Sequence, residues 1–299
     1  MNLNKIKNPQ NQSILKGSFA RKAITAVAFS LACGPVFAQS GFDFGLKGIF
    51  QASALINKQD QAAGTELDYK VKTGISGGVS VGYSFTKHLG AEIDILSSTQ
   101  GQGYVGVVSQ INNNSAPILS YEFKNLAFSN SIPFTGNYTA QIYLHTLKIP
   151  ILFRYTGDNT KKVFFSSFIG PQINMLSSAS LKINDKDAPL SASAKMNFTD
   201  GYKKTTLDLA FGFGAGLNIT DNLVVSLHLR LDYGMGDVEN KSASITTTSG
   251  KVNYYDATRT ANNNATGGGM VSLSYRLVKK VKETVKKPAA GAKKTPVKK

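Results

Sequence analysis

The sequence predicts an all-β chain, an eight-stranded antiparallel transmembrane β-barrel with short periplasmic turns and long extracellular loops. Three observations carry that prediction. Apolar and polar residues alternate with period two over runs long enough to cross a bilayer as tilted strands, which takes roughly 9–11 residues. The connections between these runs alternate long and short. One face of the alternation is rich in Gly and Ser, while the other is apolar and ends in aromatic residues.

The first run, FDFGLKGIFQASALIN from Phe42, sets Phe42, Phe44, Leu46, Phe50, Ala52, Ala54 and Ile56 on one face and Asp43, Lys47, Gln51 and Ser53 on the other. After a polar loop, TGISGGVSVGYSF sets Ile75, Val79, Val81, Tyr83 and Phe85 against Gly and Ser. A three-residue turn at Thr86, Lys87 and His88 leads into LGAEIDILS, where Leu89, Ala91, Ile93 and Ile95 oppose Gly90, Glu92 and Asp94. A long Gly-, Asn-, Ser- and Gln-rich excursion (98–140) reads as loop. Its GQGYVGVVSQ and ILSYEFKNLAFSNSIPF segments have the composition of hairpins extending above the membrane.

The fourth run, QIYLHTLKIPILFRY, is apolar on Tyr143, Leu147, Ile149, Ile151, Phe153 and Tyr155, with Lys148 and Arg154 opposite. Pro150 inside it predicts a bulge or a missing ladder bond, because proline cannot donate. In the fifth, VFFSSFIGPQINML, Val163, Phe165, Ile169, Ile173 and Met175 share a face. Phe164 and Phe168 blur its assignment, and Pro171 implies a bulge or kink.

The sixth and seventh runs, LDLAFGFGAGLNI and LVVSLHLRLDYGMG, are joined by Thr220, Asp221 and Asn222 in the clearest hairpin of the chain. Leu, Phe and Tyr alternate there with Asp208, His228, Arg230 and Asp232. A polar stretch (237–266) precedes the last run, MVSLSYRL. Eight runs joined long, short, long, short, long, short, long match an outer-membrane barrel with both termini in the periplasm. A closed sheet also leaves no unpaired edge in lipid.

The ends differ from the middle. Residues 1–38 read as a signal peptide: a basic stretch, an apolar core from Ala23 to Leu31, and Val36-Phe37-Ala38 before the cut. The only cysteine, Cys33, falls inside it. Residues 278–299 form a Lys-, Ala- and Pro-rich tail with a net charge of +8. The signal carries +5, so only +3 of the formal +16 belongs to the barrel segment, residues 39–277. The high charge is therefore a property of the ends, and no nucleic-acid partner is expected of the folded part. Outer-membrane lipid is the expected surrounding, and the tail would reach peptidoglycan or a periplasmic protein by charge.

A soluble lipocalin-like barrel would also show eight alternating strands, but with the apolar face inward. Small residues on the polar face, aromatics near the strand ends and the alternating loop lengths favour lipid.

The segments FDFGLKG, LKIPILFRY, FFSSFIGPQINML, DLAFGFGAGLNI and LHLRLDYGMGDV, in that order, resemble the PorT-type outer-membrane β-barrel family over residues 41–277. The resemblance implies an eight-stranded barrel in the outer membrane of a Bacteroidota-like bacterium. The founding type takes part in protein secretion; a shared fold does not carry that role over. The lysine-rich tail departs from the pattern, since such barrels usually end at the last strand.

Lys47, Glu92, Asp94, Lys148, Arg154, Asp208, His228, Arg230, Asp232 and Arg276 occupy the polar faces and are expected to form a lumenal network of ion pairs, because unpaired charge in a narrow interior is costly. The alternative is a proton pathway or catalytic group centred on His228. No Ser-His-acid or HExxH pattern and no Cys/His cluster appears, so neither catalytic, cofactor nor metal residues are assigned. His145 falls on the apolar face, where a neighbouring Ser or Thr would hint at a lipid-modifying enzyme. A non-enzymatic structural, binding or envelope-assembly protein is the expected role, with such an enzyme or a narrow pore as alternatives.

Overall fold

Each alternating run becomes a strand in the computed structural model, which describes residues 41–62, 64–107, 137–185, 193–247, 250–253, 255 and 258–277. The signal segment, the ILSYEFKNLAFSNSIPF run and the lysine-rich tail lie outside these residues. The strands are β1 (Gly41–Ile56), β2 (Asp68–Lys70), β3 (Lys72–Ser84), β4 (Leu89–Val107), β5 (Asn137–Thr156) and β6 (Val163–Asp185). They continue with β7 (Ser193–Asn197), β8 (Thr205–Asn218), β9 (Leu223–Gly234), β10 (Ser244–Thr247), β11 (Gly250–Asn253) and β12 (Asn263–Arg276). One short helix, α1 (Lys58–Ala62), lies in the first long connection.

Eight of these strands close a ring. The order β1-β3-β4-β5-β6-β8-β9-β12 is antiparallel throughout, and β12 returns to β1 with Phe44 opposite Tyr275 and Leu46 opposite Leu273. Each of the eight ring strands is thereby paired on both sides, as a lipid-immersed sheet requires. Outward-facing side chains of the wall are apolar and exposed, among them Phe50 at 66% and Leu227 at 63%. In a water-soluble chain such a belt would be an aggregation liability. On β6 it runs from Val163 to Met175, thirteen positions. At about 3.3 Å per residue and a tilt of about 45°, that spans roughly 30 Å, the thickness of a hydrocarbon core. At the short-turn end the belt finishes in aromatics: Phe42 packs on Tyr83 (4.9 Å between centroids), Tyr83 on Phe85 (5.5 Å), and His88 stacks on Tyr155 (6.0 Å).

The structure departs from the sequence reading at the long-loop end. β4, β5 and β6 continue well beyond their expected limits, and β2 and β7 add to the outer edges of this taller wall. There the polarity inverts. Leu96, Ile142, Leu144, Ala179 and Leu181 point inward and are buried, while Ser97, Thr99, Gln141 and Lys182 face out. This is the pattern of a sheet wall standing in water. A β-bulge makes the inversion on β6: the register to β5 shifts between His145 and Thr146, leaving Ser177 as the extra residue. Odd-numbered residues face lipid up to Met175, whereas odd-numbered Ala179 and Leu181 face the interior.

β12 also begins earlier than expected, at Asn263, so its Asn- and Gly-rich start is strand rather than loop. Gly268 is required there, since a Cβ would sit 2.1 Å from the Phe50 carbonyl oxygen. Pro150 and Pro171 leave gaps rather than a bulge: β4–β5 pairing lapses between the Ile93–Ile151 and Leu96–Lys148 pairs, and β5–β6 pairing between Pro150–Gln172 and Phe153–Ile169. The blurred faces of the fifth run resolve in the same way. Phe164 and Phe168 point into the lumen because Gly216 and Gly212 on β8 leave room for their rings; a Cβ at either glycine would come within 2.2 or 2.3 Å of ring carbon.

Candidate functional site: the charged lumen and its mouth

The inward faces of β1, β4 and β5 bring Lys47, Glu92, Asp94 and Arg154 together. The Lys47 ammonium pairs with Glu92 and donates to both Asp94 oxygens at 2.7 and 2.8 Å. Arg154 forms a two-pronged pair with Asp43, at 3.0 and 2.5 Å, and reaches the second Glu92 oxygen at 2.9 Å. Such fork-to-fork geometry fixes both partners in orientation as well as charge.

A second cluster lies on β5, β6, β8, β9 and β12. Asp232 accepts from Lys148 at 2.9 Å and from Arg230 Nε at 2.8 Å, with Thr266 at 3.2 Å. Arg230 also donates to Gln172 at 2.6 Å, and its Nη1 lies 3.6 Å from Asp94, which joins the two clusters. Three buried cations and the partly buried Arg154 thus face the five carboxylates of Asp43, Glu92, Asp94, Asp208 and Asp232. Near-balance of this kind is what a narrow interior needs, since desolvated charges are tolerable only when paired.

Four residues of the expected network sit differently. Asp208 meets no cation at ion-pair distance among the described residues; the Gln172 and Asn264 amides reach it at 3.4 Å each. Arg230 pairs with Asp232 two positions along its own strand and not with Asp208 on the neighbouring one. Arg276 stands apart at the mouth, its guanidinium 5.1 Å from the Phe164 ring centroid and 3.3 Å from Asn218 Oδ1. His228 meets Ser166 over Gly214, which stands between them on β8 (Nε2 to Oγ, 2.7 Å), and packs against Phe168, while its Nδ1 is buried without a partner. Asp43 and Gln172 are the network members that sequence reasoning left out. Both lie on polar faces already identified, and only the facing strands reveal their partners.

Below the first cluster a cavity of about 530 Å³ opens between the short turns. Phe164, Phe168, Val224 and Met270 form its apolar wall, and His228, Arg154 and Arg276 line it. Toward the opposite end the described residues fill the interior. Leu55, Leu67, Tyr104, Ile142, Leu144, Leu181, Phe198, Tyr202, Val238 and Tyr255 pack into one buried cluster drawn from both wall and loops. Arg259 locks it: both Asp60 oxygens accept from its two terminal nitrogens at 2.7 and 2.9 Å, and Glu239 accepts at 2.8–3.0 Å. All three side chains are buried, and the lock ties the connection after β1 to the one before β12.

On the outer wall, His145 Nδ1 lies 3.3 Å from Thr99 Oγ1, both facing outward where the apolar belt ends. Among the described residues no cluster of His, Cys, Asp or Glu is arranged to hold a metal ion.

A family model described as "Outer membrane protein beta-barrel domain" matches residues 37–240. No curated protein matches the sequence. Among solved structures, similarity extends to Neisserial surface protein A at 11% identity, covering 79% of this chain and 98% of that one, with a TM-score of 0.36. Pseudomonas aeruginosa OprG matches at 11% identity over 80% of this chain and 96% of its own, TM-score 0.36. A major outer membrane protein of Thermus thermophilus matches at 13% identity over 79% and 99%, TM-score 0.37. Likenesses this loose carry no argument about role. The family match, spanning most of the chain, places the protein in the outer membrane β-barrel family and hence in the outer membrane.

Proposed function

We propose that this family member is a non-enzymatic, non-conducting barrel that anchors a loop cap at the outer surface, with a structural, binding or envelope-assembly role. Its short turns and both termini face the periplasm, and the tall wall of β4, β5 and β6 with its cap faces outside. The observation that carries this reading is that the lumen is filled at two levels, by the ion-pair clusters and by the apolar cluster beneath Arg259. Filling at both levels argues against the hydrated path that conduction needs. Within the family, the LKIPILFRY, GPQ and LRLDYG segments favour the PorT type, whose secretion-associated role is one form the assembly function would take. The basic tail would contact peptidoglycan or a periplasmic protein by charge, a contact that salt weakens.

Planar-bilayer recording tests the proposal. The reconstituted barrel, checked for a folded band in unboiled gels, should give no stable conductance steps; regular porin-like openings would overturn it. A lipid-modifying enzyme is the second reading, motivated by the contact between His145 and Thr99. It predicts altered outer-membrane lipid in a His145→Ala strain, and an unchanged lipid profile would remove it.

A further inference from the structure

The mouth cavity carries a charge that the barrel does not use. Arg276 ends β12 with its guanidinium half-buried, and among the described residues no carboxylate lies within ion-pair distance of it. Asp43, its neighbour across the β1–β12 ladder, is already held in both prongs of Arg154. Arg276 therefore keeps most of its five donors unspent, in a place where leaving a cation unpaired is costly.

Its position is also fixed. Asn218 Oδ1 accepts from the guanidinium, while Asn218 Nδ2 donates to the carbonyls of Asn159 and Lys161 at 2.8 and 2.7 Å. Asn222 clasps the Arg276 carbonyl at 2.7 Å. The Phe164 ring lies on one side of the guanidinium, 5.1 Å from ring centroid to Cζ, and holds it at the apolar wall. Lys161 and Lys162, exposed on the neighbouring turn, also border the cavity. Beside these cations lies the apolar wall of Phe164, Phe168, Val224 and Met270, and the volume of about 530 Å³ is that of a small-molecule site.

We propose that this cavity binds a small soluble anion with an apolar, ring-sized body, its carboxylate or phosphate group taken by Arg276 and its body laid against the Phe164 and Phe168 wall. The planar guanidinium fork favours a group with two acceptor oxygens, which carboxylate and phosphate share. The chain's own lysine-rich tail is the wrong occupant, because its net charge of +8 matches the sign of the rim. The inference goes beyond the reading of the barrel as a non-conducting anchor, which fails on conductance and not on binding.

Isothermal titration of the full chain, refolded in a maltoside detergent and phosphate-free buffer, tests it with phenylphosphate and inorganic phosphate as probes. Phenylphosphate should bind at least tenfold more tightly than inorganic phosphate, and Arg276→Gln should weaken it tenfold or more while the unboiled gel band stays in place. Phe164→Leu, which keeps the barrel filled if the Arg276 variant fails to fold, should narrow the preference for phenylphosphate over phosphate. Absence of phenylphosphate binding at millimolar concentration, equal binding of the two probes, or affinities unmoved by both substitutions would overturn the proposal.

Discussion

Toward the short turns the lumen is lined by cations and carboxylates above an open cavity, whereas toward the long loops it is packed with Leu, Ile and Tyr under a cap locked by Arg259. What lies outside the wall accounts for the difference. Where lipid covers the outer face, apolar side chains are needed there and the narrow interior takes the polar half of each strand. Where the wall of β4, β5 and β6 stands clear of the belt, its outer face turns to Ser, Thr and Gln, and the interior becomes an ordinary apolar core. One sheet thus obeys two opposite burial rules, and the bulge at Ser177 is a point of change between them.

The largest test of that contrast is Asp232→Ala. It strips both Lys148 and Arg230 of their main partner in a lumen that cannot open without unfolding the barrel. A loss of about 3–5 kcal/mol is expected, read from urea unfolding in lipid vesicles by far-ultraviolet circular dichroism. A loss below about 1 kcal/mol would mean that water reaches the lumen well enough to solvate both cations, and the contrast between the ends would fail.

Arg259→Ala should act differently, although Asp60 and Glu239 are also left buried and opposed. The cap can relieve them by opening into water, so the damage should stay local. Limited proteolysis is expected to cut the connections at 57–67 and 237–262 faster, while barrel unfolding moves by less than about 1 kcal/mol, the order of a surface change. Coincident loss of cap and barrel would show that the two ends fold as one unit.

A smaller effect separates inside from outside at a single height. Gly212→Ala forces the Phe168 ring aside and should cost about 1–3 kcal/mol, the usual penalty for overpacking. Gly269→Ala, on the lipid face, meets nothing within 4 Å and should change stability by no more than about 0.5 kcal/mol. Equal costs would indicate that backbone conformation, and not lumenal crowding, sets the need for glycine.

These particulars also mark what the sequence could disclose. Period-two alternation identified all eight ring strands, and it set the lipid faces most sharply on β1, β8 and β9, whose lipid-exposed positions are apolar almost without exception. Above the belt only composition was left to read. There Gly101 to Val107 read as part of a hairpin within a long loop and Asn263 to Thr266 read as loop, and both become wall strand because a facing strand supplies the partner. The bulge at Ser177 hides Ala179 and Leu181 from any count of two. The charged residues of the lumen were legible as a set but not as pairs. Whether Arg154 or Arg276 takes Asp43 depends on which side chain reaches across the lumen, and strand register alone favours the wrong one. The Arg259 lock and the cap lay wholly outside the alternation, since loops carry no period to read.

The smallest expected effect lies on the exposed rim, where a carboxylate behaves unlike its buried counterparts. Asp158, in the turn between β5 and β6, accepts from the Thr160 hydroxyl at 2.7 Å and its backbone N–H at 3.3 Å, with the Lys87 ammonium 3.2 Å away. The Thr160 hydroxyl bond first, and Lys87 next, stabilise the charged form and pull its pKa down from an ordinary 3.8 to about 2. A depressed carboxylate pKa contributes stability that is whole above the unfolded value and fades as the pH falls through the folded one. The window is therefore between about pH 4 and pH 2. Carbon-detected NMR titration should place the Asp158 midpoint near 2, and Thr160→Ala should move it back toward 3.8. Because the group is fully in water, added salt should erase the Lys87 share and leave the hydroxyl share. A midpoint that salt returns all the way to its ordinary value would assign the whole shift to Lys87 and leave the turn's hydrogen bonds without effect.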